Sequence, residues 1–215
     1  MKPLIPNRLL FRFEFPLGQR SRPPKIDGDV SEWTDAELLP PLGRIDGEPQ
    51  FASVWCCWND DGIYIAAQVR GKRSALKCDP RTFWQGDNLR LMLDMRDTRN
   101  IKRATRYCQH FYFLPCGGKD GGPMAASFPI NRAKENAPLV APDRLDVAAK
   151  VIKTGYTLEA HIPADCLSGF DPAQHRRLGF FYIFEDLDLG RQSFTIGEDL
   201  PWHVDPSLWA TAVLT

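Results

Sequence analysis

The sequence predicts an all-β protein, an antiparallel β-sandwich of about nine strands in a single domain spanning residues 1–215. Three observations predict it. Apolar and polar residues alternate with a period of two in several segments. Turn signals separate most of these segments. Helical periodicity never persists beyond about two turns.

The elements follow in order. Residues 9–15 read LLFRFEF, and Phe11, Phe13 and Phe15 alternate with Arg12 and Glu14 as in a half-buried strand. Residues 52–58 and 63–69 are apolar runs joined by Asn59-Asp60-Asp61-Gly62, a hairpin signal. In residues 89–95, Leu89, Leu91, Leu93 and Met95 alternate with Arg90, Met92 and Asp94. Residues 107–114 form an aromatic-rich strand. Residues 145–152 and 156–162 flank Lys153-Thr154-Gly155, a second hairpin. Residues 178–185 are almost continuously apolar, as in a strand buried on both faces. Residues 209–214 close the chain. One short helix is expected over residues 163–170, where Pro163 and Asp165 suit a first turn. Residues 40–50 and 115–142, rich in Pro and Gly, read as loops. The second is long enough to be a functional excursion.

Composition narrows the function classes. Hydrophobic residues make up 43% and charged residues 25% of the chain, ordinary globular usage. The 27 basic and 27 acidic residues cancel, so nothing electrostatic favours a nucleic acid or an anionic membrane. The longest apolar runs fall far short of the roughly 20 residues a membrane helix needs. Residues 1–10 lack a continuous apolar region and a small-residue cleavage site. The expectation is therefore no secretory leader, and a cytoplasmic protein if the chain is full length. Six cysteines occur without a C-x-x-C pair, which argues against a zinc ribbon or a thioredoxin-like motif. They read as reduced, structural thiols, with a Cys108–Cys116 disulfide left open because spacing does not set geometry.

Catalytic signatures are missing. There is no H-E-x-x-H, no G-x-S-x-G and no phosphate loop. Acidic residues are too numerous for any two to single out a hydrolytic pair. A non-catalytic protein is expected. Trp33, Trp55 and Trp58 sit in or beside apolar segments and read as core. Trp84 and Trp202 have polar, turn-like flanks, which fit exposure. Asp27, Asp29 and Glu32 offer hard oxygens for calcium, or simply a solvated Asp-Gly turn. Asp186 and Asp188 read as a turn, and Asp87 and Asp94 as turn and strand-end acceptors.

Several segments, in order, carry a resemblance. Ile26-Asp27-Gly28 is followed by Trp33; Trp58-Asn59-Asp60-Asp61-Gly62 opens a hairpin; Trp84-Gln85-Gly86-Asp87 leads into a strand ending at Asp94. Gly155-Tyr156-Thr157-Leu158-Glu159, then Glu185-Asp186-Leu187-Asp188, then Trp202-His203-Val204-Asp205 complete the series. From about Lys25 onward the chain resembles the family-9 carbohydrate-binding modules and the wider DOMON-like group of β-sandwich domains. The resemblance implies immunoglobulin-like or jelly-roll topology, a sugar stacked between two tryptophans, here Trp84 and Trp202, and structural calcium. An indole offers a rigid apolar surface to the C–H face of a pyranose. The sequence departs from the pattern where the family's sugar-binding Glu becomes Arg90 and a family Arg becomes Phe111. Gln109 and Arg90 are then the candidate polar contacts. The alternative is a structural or protein-interaction sandwich that has lost the sugar, contacting partners through edge strands and residues 115–142. A minor alternative, from related sandwiches, is haem held by Met92 or Met95 with His110.

Overall fold

The computed structural model describes residues 6–196 and 200–215. Residues 1–5, on which part of the leader reading rests, lie outside them. The chain forms two packed β-sheets and only short 3-10 turns. Its strands are β1 (Glu14–Leu17), β2 (Ala52–Asn59), β3 (Gly62–Arg70), β4 (Asn88–Asp94), β5 (Cys108–Leu114), β6 (Met124–Phe128), β7 (Asp146–Ile152), β8 (Gly155–Pro163), β9 (Arg177–Asp186), β10 (Gly190–Ser193) and β11 (Ala210–Leu214). The larger sheet runs β1-β11-β9-β4-β5-β6, with β10 on the end of β9; the smaller runs β2-β3-β8-β7. All pairings are antiparallel except β1 with β11.

Alternation decides which side chains meet. Leu89, Leu91 and Leu93 of β4 point between the sheets with Phe111 and Phe113 of β5, Phe180 and Phe184 of β9, and Ile63 and Ile65 of β3. Fully burying side chains of this size contributes roughly 1.5–3 kcal/mol each. Both outer faces of the sandwich carry a smaller apolar cluster of their own. Trp33, Cys57, Tyr64 and Ala66 cover the small sheet. Phe83, Tyr112, Leu114 and Ala126 cover the large one.

Three sequence expectations change. Residues 9–15 are not one strand: Asn7–Leu10 coil into a 3-10 turn and only Glu14–Leu17 pairs. The cause is Arg8, which is buried and bonded to Asp46 (2.6 Å), Glu48 (2.7 Å) and the Ser193 carbonyl (3.0 Å). The expected helix over residues 163–170 is a single 3-10 turn, Ala164–Cys166. Finally, the excursion over residues 115–142 contains β6, an edge strand paired to β5.

Candidate functional site

The site lies on the outer face of the large sheet. Even-numbered residues of β4 and β5 point there, so Arg90 pairs across to Tyr112, and Met92 to His110. Ahead of β4, a 3-10 turn (Pro80–Gln85) is capped by Asp79, whose side chain accepts from the Arg81 N–H. The turn is pinned by Phe83, which stacks flat on Tyr112 with centroids 4.0 Å apart and planes 4° apart. Because Phe83 is turned to the sheet, its neighbour Trp84 faces solvent and is 42% exposed. Across from it, β6 places Phe128 opposite His110, also 42% exposed, its ring 6.2 Å from that of Trp84.

These aromatic rings border an open cleft of about 360 Å³. Its floor is polar. Arg90 donates to Glu185 at 2.8 Å, and Glu185 also pairs with Arg191. The Arg90 Nε and the His110 Nε2 are buried and have no hydrogen-bond partner. Burial, then the charges of Arg90 and His203, push the His110 ring down to about 3. It is therefore neutral at physiological pH, with one ring nitrogen a donor and the other an acceptor. Groups buried without a partner cost roughly 1–3 kcal/mol each, so two at one cleft call for an explanation.

The structure brings Trp84, Trp202 and Arg90 to this one cleft. Trp202, however, is only 6% exposed. It packs on Phe181 at 5.2 Å, and the Arg90 guanidinium lies over its ring at 4.9 Å. The polar flanks of Trp202 fit exposure, but Phe181 on a distant strand buries the ring. Gln109 is also corrected. It points between the sheets, donates to the Cys166 carbonyl at 2.9 Å and accepts from the Ser168 N–H at 2.7 Å. It fastens a loop and does not face the cleft. Phe111 likewise lies wholly in the core. His110 of β5 and its cross-strand partner Phe128 of β6 also line the cleft, and neither was among the expected ligand contacts; the period-two alternation from Arg90 could have found His110.

The calcium candidates do not converge. Asp27 accepts from the Asp29 N–H, Asp29 from the Ser31 N–H, and Glu32 from the Lys25 N–H and Arg20. Among the described residues no group of three or more His, Cys, Asp or Glu side chains is arranged around a common ion site. These residues do not fit the calcium that the resemblance implies. The Asp-Gly turn instead closes a buried cluster on the opposite face. Glu159 accepts from Trp33 Nε1 (2.7 Å) and from the Gly28 (2.6 Å) and Asp27 (3.2 Å) N–H groups. Gly28 has φ +82°, and a Cβ there would come within 3.2 Å of the Ala149 backbone. Asp87, Asp186 and Asp188 surround a cation already present, the buried Lys72 ammonium, at 2.9, 3.2 and 3.9 Å. Haem gains no support from Met92 and His110, which point the same way from neighbouring strands; axial ligands must approach iron from opposite sides. Met95 is fully buried in the core.

The fold is a β-sandwich with an aromatic cleft on one outer sheet face. Residues 26–215 match the family model described as carbohydrate family 9 binding domain-like, and the chain belongs to that family. Among solved structures it is similar to a carbohydrate-binding module of family 9 from Caldicellulosiruptor kristjanssonii. The glucose complex of that module aligns at 19% identity with TM-score 0.65, covering 94% of this chain and 96% of the other. Its cellotriose complex aligns at 17% identity with TM-score 0.63, covering 94% of each chain. At such identities the likeness establishes the fold. No curated protein sequence matches.

Proposed function

We propose that the protein is a non-catalytic module that binds a sugar in the cleft beside Trp84. One observation carries the reading: an exposed indole stands next to two buried, unpartnered nitrogens in a chain of this family. The indole supplies a stacking surface, and Phe128 supplies a second apolar wall at an angle of 56° to it. The Arg90 Nε–H donates to a ligand hydroxyl oxygen, and His110 Nε2 donates or accepts according to its tautomer. Trp202 backs the Arg90 guanidinium and holds it in place, so the sugar stacks on Trp84 without a second indole on its far face.

The non-catalytic part of the reading also rests on the cleft. Glycoside hydrolysis uses a pair of carboxyl groups across the scissile bond. Among the described residues that line the cleft, Glu185 is the one carboxylate, and it is held in ion pairs with Arg90 and Arg191. The bound glucose and cellotriose of the similar structures make these sugars the first ligands to try. Titration calorimetry with glucose and cello-oligosaccharides tests the reading, with other hexoses and pentoses as a second panel. Saturable binding that is lost on competition at Trp84 supports it. Heat-silent titrations with every sugar, confirmed by unchanged tryptophan fluorescence, would overturn it.

A further inference from the structure

Cys78 and Cys116 lie away from the sugar contacts, yet their sulfurs approach to 2.6 Å. Two unbonded carbon atoms rest at roughly 3.5–4.0 Å, and sulfur is larger still. A disulfide bond is about 2.05 Å. The separation is too short for two thiols at rest yet still longer than a bond, so a small approach of the two sulfurs would bring them to bonding distance. We propose that Cys78 and Cys116 form a disulfide, a covalent modification of this chain.

The surrounding backbone is built for it. Cys116 stands just beyond the end of β5, and Cys78 just ahead of the turn that carries Trp84. The next residue after Cys116 is Gly117, at φ +87°, and a Cβ there would lie 2.9 Å from the Cys78 carbonyl oxygen and 3.2 Å from the Cys78 Cβ. The two segments of the chain thus already approach closely at this point. Both cysteines are partly accessible, whereas Cys56, Cys57, Cys108 and Cys166 are buried. The Cys108–Cys116 pairing left open by spacing is excluded by β5 itself. Cys108 opens the strand and Cys116 follows its end, which puts them roughly 25 Å apart at strand rise.

The chemistry is thiol–disulfide exchange with a low-molecular-weight disulfide as oxidant. One cysteine thiolate attacks that disulfide, forms a mixed disulfide and expels one small thiolate. The second cysteine thiolate then attacks the protein sulfur and expels the other. Two protein thiols become one protein disulfide, and the oxidant is reduced to two small thiols. The bond closes a loop between positions 38 residues apart. It ties the Trp84 turn to β5, which carries His110. A tighter sugar complex in the oxidised protein follows only if the proposed sugar site is correct; the disulfide itself does not depend on that reading.

The test uses the full chain, incubated with oxidised glutathione, unfolded, and alkylated with and without prior reduction. Intact mass should show four alkylated cysteines without reductant and all six after it. Proteolytic mapping should recover one peptide pair joined through Cys78 and Cys116. The oxidised protein should also melt on the order of 10 °C higher than the reduced one. Six alkylated cysteines without reductant, or a linkage through any other pair, would overturn the proposal. Should Cys78→Ser fail to fold, the mass map of the unaltered protein still decides. Sugar affinity measured on both redox forms separates the two ideas: a mapped disulfide with no sugar binding leaves this inference standing and removes the other.

Discussion

The two outer faces of the sandwich each carry a tryptophan, a buried charged side chain and an apolar cluster, but only one is closed. Over the small sheet, Trp33 is buried and both oxygens of Glu159 are occupied by N–H donors. The segment from Ile26 to Val30 lies over that cluster as its lid. Over the large sheet, Trp84 is exposed, and buried nitrogens of Arg90 and His110 have no partner. A fold satisfies its buried polar groups wherever it can. The small-sheet face leaves one such nitrogen, Arg20 Nη1, but it sits 3.8 Å from the Glu37 carboxylate, whereas the two over the large sheet border an open cleft beside an exposed indole, which is where we propose the ligand binds.

The comparison can be broken by mutation, and the buried charged clusters should give the largest changes in stability. Lys72→Met removes the cation between two fully buried carboxylates, Asp87 and Asp186. Breaking a buried pair in this way should cost about 3–5 kcal/mol in urea unfolding. A loss under about 1 kcal/mol would mean that the ammonium is not held as a buried ion pair. Next in size, lowering the pH should weaken the fold through His110. Its folded value, about 3, is below the ordinary 6.5. The stability it contributes is complete above pH 6.5 and is lost as pH falls from there toward 3. The loss at pH 5 is roughly 2 kcal/mol. In His110→Phe the change between pH 7 and pH 5 should shrink by about that amount; an unchanged slope would contradict the assignment. Glu159→Gln should cost roughly 1–3 kcal/mol, because an amide cannot accept from all three donors. Sugar affinity should stay within about twofold of the unaltered protein, and a larger drop would join the two faces that the account keeps apart.

Much of this division was legible in the sequence, and the rest depended on partners distant in the chain. Alternation placed β4 correctly and put Arg90 on the face opposite Leu89 and Leu91. The Asn59–Gly62 and Lys153–Gly155 turns located both hairpins, which the structure pairs from Asn59 to Gly62 and from Ile152 to Gly155. Gln109 failed because a shift of one residue on a strand moves a side chain to the other face, and an approximate motif alignment does not fix that register. Trp202 failed because its burial is made by Phe181, a residue of β9. Neither β6 nor β10 was expected, since each is a short run whose partner strand supplies the pairing. The role of Asp27 and Gly28 as a lid on Glu159 could not be read from a turn motif that calcium would also suit.

Trp84→Ala should be the gentlest of these variants for the fold and the most damaging for the site. An exposed ring leaving a surface turn should change stability by no more than about 0.5 kcal/mol. The most direct measurement is therefore a calorimetric titration of the unaltered protein and of Trp84→Ala with the sugar that binds best. The account expects at least a tenfold loss of affinity, about 1.4 kcal/mol, at nearly constant melting temperature. Equal affinity in the two proteins would contradict it, because the sugar would then be held somewhere other than on the exposed indole.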